Sequence, residues 1–411
     1  VSAWKPPEGI EAPAFAPQPG RKSLKLPPKT ANKTPLIGAA ILKLDHFARD
    51  VGGGLWVYRD GCYRPGGERA VLQRLRELTM DGDAEVFSRN RAAEVAAWIE
   101  ADAPTLWECP PLDVVNVRNG LLHLPSRDLR PHSPEHLSAI QIPVAFDQAA
   151  TCPCWDRFIG DVFPSDSAGL PWELIGWLMV PDNFYKKAPL MLGDGDNGKS
   201  AFLRAITAFL GRENVATLSL HELESNRFAP VRLLGKLANI CADLPTAHLQ
   251  GTSVFLAVTG GDSLSGERKY GTSFDFTPFS RLLFSANVPP RAKDATSAFF
   301  ERWLVVLFEA VFRGENAIKR EVLDGMLADP RELSGVLNRA IDGLAALRAR
   351  GRFDESESMR EAHREFRATT DPFAGWWEGA VVMQPGLFIP MRELRRLYGE
   401  DCIKHGRPVP S

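Results

Sequence analysis

Gly193-Asp194-Gly195-Asp196-Asn197-Gly198-Lys199-Ser200 follows an apolar run, Pro189-Leu190-Met191-Leu192. An apolar-faced segment, Ala201-Phe202-Leu203 to Phe209-Leu210, leaves it and stops at Gly211. A strand, a GxxxxGK[ST] loop and a helix in that order make a phosphate-binding P-loop. Gly193, Gly195 and Gly198, with Asn197, let backbone N–H groups turn inward as an anion nest at a helix N-terminus, where orphan amides and the helix dipole favour negative charge. Lys199 is placed to reach the β- and γ-phosphates and Ser200 to ligate a divalent ion, so ATP and Mg²⁺ are the expected cofactors. From about Lys187 to Phe312, apolar strands alternate with helical segments, the pattern of parallel βαβ construction. The fold class that follows is α/β, a P-loop ATPase domain over 186–312 with a central parallel sheet.

Working downstream, Lys236-Leu237-Ala238-Asn239-Ile240-Cys241-Ala242-Asp243 is a second apolar strand ending in an acid. A parallel strand beside the P-loop strand would put Asp243 at the Mg²⁺ shell. Ala242 and Leu244 flank this lone acid, so the same carboxylate is asked both to organise the metal and to activate water. A third strand, Ser280 to Ala286, ends at Asn287, an amide able to hold the attacking water or the γ-phosphate; a turn Asn before Val288-Pro289-Pro290 is the plainer use. Arg302, in Phe299-Phe300-Glu301-Arg302-Trp303, stands at the start of a further apolar strand, Leu304 to Phe308. An arginine there suits a finger supplied to a neighbouring subunit, worth roughly 10³ to 10⁵ in rate; a structural salt bridge is the competing use.

Residues 1–35 are rich in proline and basic residues, the composition of an extended, disordered linker. A small α+β domain is expected over 36–150. In it, Leu55 to Tyr58 and Cys62-Tyr63 flank an Asp60-Gly61 turn, Val114 to Val117 and Leu121 to Leu124 flank Asn119-Gly120, and helical spacing covers Arg69 to Leu78 and Arg91 to Ile99. A helical collar follows over 151–185, closed by Pro181. Beyond the ATPase, 313–372 reads as a helical lid, with Pro330 suited to a first helical turn and Gly351 to a C-cap. Over 373–411, Trp376-Trp377 and the amphipathic Met391 to His405 suggest the start of a winged-helix-like domain cut short by the chain's end; an amphipathic interface helix explains them equally well. The proline-rich start suggests a domain upstream.

The order of motifs resembles the helicase portion of phage and plasmid primase-helicases, members of helicase superfamily III and ring-forming AAA+ ATPases. The resemblance is carried by Gly193 to Ser200, Ala238 to Pro245, the block Val258 to Tyr270 (VTGGDSLSGERKY), Leu282 to Pro290 and Phe299 to Trp303. Asn116 to Leu124 and Leu129 to Pro134 carry it ahead of the ATPase. It implies a DNA-binding hairpin in the Val258 to Tyr270 block, with Arg268 and Lys269 on phosphates and Tyr270 stacking on a base or bracing the tip. It implies Asn287 as sensor and Arg302 as finger in trans, hence a homo-oligomer, a hexameric ring on single-stranded or forked DNA. The sequence departs from its relatives at Leu256, where they often carry lysine. A primase-polymerase activity, if the full-length protein has one, belongs upstream of Val1, because Asp81-Gly82-Asp83 sits in a polar loop rather than on a strand.

Composition narrows the classes further. The chain has 411 residues, 44% hydrophobic and 24% charged, with a net charge of −2; any nucleic-acid site is therefore local rather than a polycationic coat. No apolar run is long enough to cross a membrane, and the N-terminus lacks a signal-peptide pattern, so a cytoplasmic protein, in the host cell if phage-encoded, is expected. Cys152-Pro153-Cys154 lacks the two further ligands of a zinc site, and His132 and His136 read as turn residues. Two other readings compete with the helicase: a DNA-packaging ATPase or other phosphotransferase, and a nucleotide-gated initiator or scaffold that uses ATP only to assemble.

Overall fold

The computed structural model describes residues 33–80, 88–245, 247–267, 273–292, 296–314, 318–370, 372–384, 386–405 and 409. The N-terminal part contains α1 (Lys33–Leu42), an antiparallel sheet of β1 (Phe47–Arg49), β2 (Leu55–Arg59) and β3 (Cys62–Pro65), then α2 (Gly67–Met80) and α3 (Arg89–Asp102). Arg59 pairs with Cys62 across Asp60 and Gly61, whose φ values of 50° and 88° suit a tight hairpin turn. Asp45 is buried against Arg59 and Arg74, 2.7 Å from each. Burial alone would raise its carboxyl, but hydrogen bonds from Arg74 and Arg59 hold it below the usual range.

A second antiparallel sheet holds β4 (Val114–Val117), β5 (Gly120–His123) and β6 (Asp128–Arg130). Val117 pairs with Gly120, so the turn is Arg118-Asn119, one residue earlier than the Asn119-Gly120 expected. The reason is tertiary. Asn119 is occupied with the backbone of Phe146, accepting its N–H at 2.8 Å and donating to its carbonyl at 3.0 Å, and a Cβ on Gly120 would lie 2.4 Å from the carbonyl of Arg130. The apolar residues of 36–150 also divide. Ile37, Val71, Leu75, Val95 and Ile99 close over a core of their own, whereas Val115, Val117, Leu122 and Leu124 join the main core with the helices and the ATPase. His136 closes a turn, its N–H donating to Ser133 O at 3.1 Å, and is also buried, with its ring edge-on to Trp107 at 5.0 Å.

After α4 (Pro153–Val162) and α5 (Leu170–Leu178) comes the central sheet. Its parts are β7 (Ala188–Leu192), α6 (Lys199–Leu210), β8 (Val215–Ala216), α7 (Leu220–Ser225), β9 (Ala238–Cys241), α8 (Ser253–Gly260), the hairpin β10 (Leu264–Glu267) and β11 (Ser273–Phe276), β12 (Arg281–Ala286), α9 (Ser297–Arg302) and β13 (Trp303–Leu307). Five strands run parallel in the order β13-β7-β12-β9-β8. Every residue of β7 and β12 is buried, as expected for parallel strands covered on both faces. The strand bearing the acid is thus not beside the P-loop strand: β12, later in the chain, lies between β7 and β9. Strands buried on both faces carry no mark of their lateral order, so spacing along the sequence could not reveal this. Arg302 likewise ends α9, and β13 begins at Trp303.

Four helices, α10 (Arg320–Leu327), α11 (Pro330–Arg350), α12 (Glu357–Thr370) and α13 (Pro372–Ala380), precede the last, α14 (Met391–Lys404). Asp329 caps α11 ahead of Pro330, and Gly351, with φ 75°, ends it. α11 packs closely along α5. A Cβ on Gly176 would lie 2.2 Å from the carbonyl of Ala340, and one on Gly343 2.4 Å from the backbone of Trp172. Arg350 donates to the buried Glu173 at 2.8 Å in the same interface. α12 lies on the β13 edge, where Phe366 meets Phe300 and Trp303. α13 and α14 hold each other through Phe373 and Trp376 against Tyr398. Among the described residues of 372–405 there is no strand, and no described helix is long and apolar enough to cross a membrane.

Candidate nucleotide site

β7 carries the chain to the C-terminal edge of the sheet, where the P-loop turns into α6. Gly193 has φ 146°, and a Cβ there would lie 2.3 Å from the Phe308 carbonyl and 2.5 Å from Nδ2 of Asn197. Gly198, at φ 89°, caps α6, and a Cβ would meet Val162 of α4 at 2.6 Å. Both positions therefore exclude a side chain. Nothing lies within 4 Å of the corresponding point on Gly195, which faces open space.

Asn197 is buried and works within the loop. Its Nδ2 donates to the Phe308 carbonyl at 2.9 Å, and its Oδ1 accepts from Lys199 Nζ at 3.1 Å. Lys199, also buried, donates to the carbonyls of Gly193 at 2.5 Å and Asp194 at 2.8 Å. Burial pushes the Lys199 ammonium down from its ordinary pKa, while the carboxylates of Asp194 and Asp243 pull it back up. The loop is also tied to the chain beyond β13: the Asp196 carbonyl accepts from Phe312 N at 2.8 Å, and its carboxylate pairs with Arg313 at 3.0 Å.

Ser200 is exposed on the first turn of α6, Asp243 is exposed just past β9, and Asn287 is exposed just past β12. All three strands are parallel, so these residues share the edge that carries the P-loop. Ser285 fixes the acid's turn, its hydroxyl donating to the Ala242 carbonyl and its own carbonyl accepting from Leu244 N. The sequence reading passed over Asn239 in this strand. It is fully buried and bonded both ways to the backbone of Leu218, donating at 2.9 Å and accepting at 2.7 Å. A lone amide within an apolar strand was the available signal.

Arg302 is elsewhere. Trp303 pairs with Ala188 at the start of β7, and Leu307 with Leu192 at its end, so roughly 16 Å of strand separates Arg302 from its own P-loop. The guanidinium cannot serve the nucleotide of its own chain. Its Nε is buried without a hydrogen-bond partner, and no ion pair involves it among the described residues, so the structural salt bridge weighed from the sequence is not its use there.

The D5 N-terminal-like family model matches residues 42–164, and a family of unknown function, DUF5906, matches residues 191–302. A putative helicase, 121R, of Invertebrate iridescent virus 3 is 28% identical over 169 residues, 38% of this chain and 18% of that protein. The chain thus spans less than a fifth of this curated relative. Two solved apo structures of the NrS-1 C-terminal region share the fold, with TM-scores of 0.50 and 0.52 at 13% and 12% identity, covering 90% and 86% of this chain and 85% and 84% of theirs. The structural likeness is one of fold, and the two family matches fall on the small N-terminal part with α4 and on the central sheet. The DUF5906 match runs from β7 to Arg302 and so encloses the Gly193 to Ser200 loop, Asp243, Asn287 and Arg302.

Arg268, Lys269 and Tyr270 lie outside the described residues. The hairpin that leads to them does not: β10 and β11 pair from Leu264 with Phe276 to Glu267 with Ser273. The expected chain break at Thr259-Gly260-Gly261-Asp262 is the C-terminus of α8, with Gly261 left-handed at φ 78° and Asp262 N bonded to Ala257 O at 2.9 Å. Leu256 is partly buried against the core. The sequence reading missed Arg227, whose Nε is 3.4 Å from Glu267 and whose guanidinium lies 4.7 Å from the Phe228 ring. A basic residue from the segment after α7 thus sits against the hairpin, a proximity that no local spacing encodes.

Proposed function

We propose that the chain is the ATP-driven DNA helicase module of a phage or plasmid replication protein. In this reading it is a superfamily III AAA+ ATPase, assembled as a hexameric ring on single-stranded or forked DNA in the host cytoplasm. One observation carries the reading: the P-loop, Ser200, Asp243 and Asn287 share one edge of a parallel sheet, while Arg302, without an ion-pair partner among the described residues, occupies the opposite edge. Such a chain is complete only when a neighbour's Arg302 edge meets its nucleotide edge.

Lys199 would exchange the carbonyls of Gly193 and Asp194 for β/γ-phosphate oxygens, and the loop's N–H groups, with Gly195 open to solvent, would cradle the phosphates. Ser200 and Asp243 are free to hold Mg²⁺, which when bound neutralises phosphate charge. Asn287, with Asp243 as the only acid of the motif, would orient the attacking water. Arg302 of the next subunit would stabilise charge developing in the transition state. The helices α10 to α12 would act as lid, α4 and α5 as collar, and α13 with α14 as the start of a winged-helix-like region. A primase-polymerase domain would belong to an upstream part of the full-length protein.

Unwinding of a forked DNA by the purified chain with ATP and Mg²⁺ tests the reading. Lys269→Ala is expected to keep basal ATP turnover and lose DNA stimulation and unwinding. Normal unwinding by this variant removes the hairpin from the mechanism. ATP-dependent ring assembly without unwinding by the unmodified chain favours the initiator or scaffold reading instead.

A further inference from the structure

The edge of the sheet opposite the P-loop holds two charges side by side that have no ion pair among the described residues. Asp262 is exposed at the end of α8, and Arg302 ends α9. Between them is Gly260: a Cβ there would lie 3.1 Å from Asp262 Oδ2 and 3.8 Å from Arg302 Nη2. The carboxylate and guanidinium therefore approach one point above the glycine from two sides, yet they form no ion pair. Neither has another ion-pair partner among the described residues. Gly260 belongs to the helix, and its φ is not positive, so the backbone does not require glycine. What the missing side chain leaves is an open path between two opposite charges.

The surroundings are rigid. Phe255 of α8 stacks on Trp303 at 4.6 Å and meets Phe299 of α9 edge-on at 5.4 Å, which fixes the two helices relative to each other. Asn183, just ahead of β7, donates to the Pro278 carbonyl at 2.7 Å, and its Cβ lies 3.6 Å from the point a Cβ on Gly261 would occupy. Asp262 itself is the joint between this packed base and β10, which begins soon after at Leu264.

We propose that Asp262 is a positioning residue for Arg302, and that Gly260 keeps the path between them open. Resting on the reading of Arg302 as a finger in trans, the proposal adds a direct link between the hairpin and hydrolysis. When β10 shifts with bound DNA, Asp262 moves and either draws the guanidinium back or releases it toward the neighbour's nucleotide.

Steady-state ATPase of assembled protein, with and without a single-stranded oligonucleotide, tests this. Asp262→Asn is expected to lower kcat about tenfold and abolish DNA stimulation, with KM for ATP and oligonucleotide affinity within about twofold of the parent. Asp262→Glu should restore DNA stimulation in part, which a merely structural helix end would not do. Gly260→Ala, which blocks the path, should reproduce the Asp262→Asn split between kcat and KM. If Arg302→Ala is inactive while Asp262→Asn and Gly260→Ala both keep kcat and DNA stimulation, the positioning role is wrong and the finger stands. If Arg302→Ala turns over normally, the finger reading fails first. Should Asp262→Asn fail to fold by circular dichroism, Gly260→Ala decides, since it leaves both charges in place.

Discussion

The two edges of the parallel sheet differ in how far each is finished within one chain. At the C-terminal edge Lys199 is saturated, with carbonyls of Gly193 and Asp194 and the amide of Asn197 around its ammonium. At the N-terminal edge Arg302 has a buried Nε with no partner, and Asp262 faces it without pairing. A half-buried guanidinium without a partner gives up hydration for little return. In the proposed reading, one edge is a preorganised site for a small ligand and the other a set of charges completed by a neighbour.

That contrast is tested most severely at Lys199. Lys199→Ala removes the cation from the nucleotide edge and is expected to abolish ATP turnover, as checked by phosphate release; turnover within about tenfold of the parent would end the P-loop assignment. Arg302→Ala should lose roughly 10³-fold or more in turnover if the finger acts across subunits, with nucleotide binding retained. Mixing it with Lys199→Ala subunits separates the roles of the two edges, because an intact nucleotide edge then meets an intact Arg302 edge at some interfaces. Activity should reappear in mixed assemblies, and no recovery at any ratio would count against action in trans.

The smallest effect is expected away from both edges. Burial first, and then neighbouring His132, push the His136 imidazole down to about 4. The unfolded chain, with an ordinary imidazole near 6.5, takes up its proton first as pH falls. Stability is therefore lost progressively from about pH 6.5 toward 4, by up to about 3 kcal/mol, and levels off below that. Urea melts across this range should show the loss, and His136→Phe should flatten it. A melt of His136→Phe with the parent's slope would place the acid sensitivity elsewhere. ATPase effects at the sheet edges should persist at pH 7.5, where this loss is absent.

The P-loop was legible because its information is contiguous: glycines at positive φ, a lysine and a serine follow one another along the chain. Asp60-Gly61, Pro330 and Gly351 were legible for the same reason, each being a local backbone requirement. The Asn119-Gly120 turn misled by one residue, since a long-range contact to Phe146 and the approach of Arg130 outweighed the local preference. Asn239, Arg227 and the glycine contacts of α5 with α11 were not legible. Each depends on a partner distant in the chain: Leu218 for Asn239, Glu267 for Arg227, and Ala340 for Gly176.

Contiguous residues were enough to specify the glycine-rich loop between β7 and α6, the parallel α/β class and the acid and amide that end two strands. These follow from short-range backbone geometry and burial pattern. Tertiary packing alone put β12 between β7 and β9, and set Arg302 at the far edge beside Asp262 and Gly260. Lateral strand order comes from pairing between segments far apart in the chain, Ala238 with Arg281 and Ala188 with Trp303. No one-dimensional period records which apolar strand lies beside which.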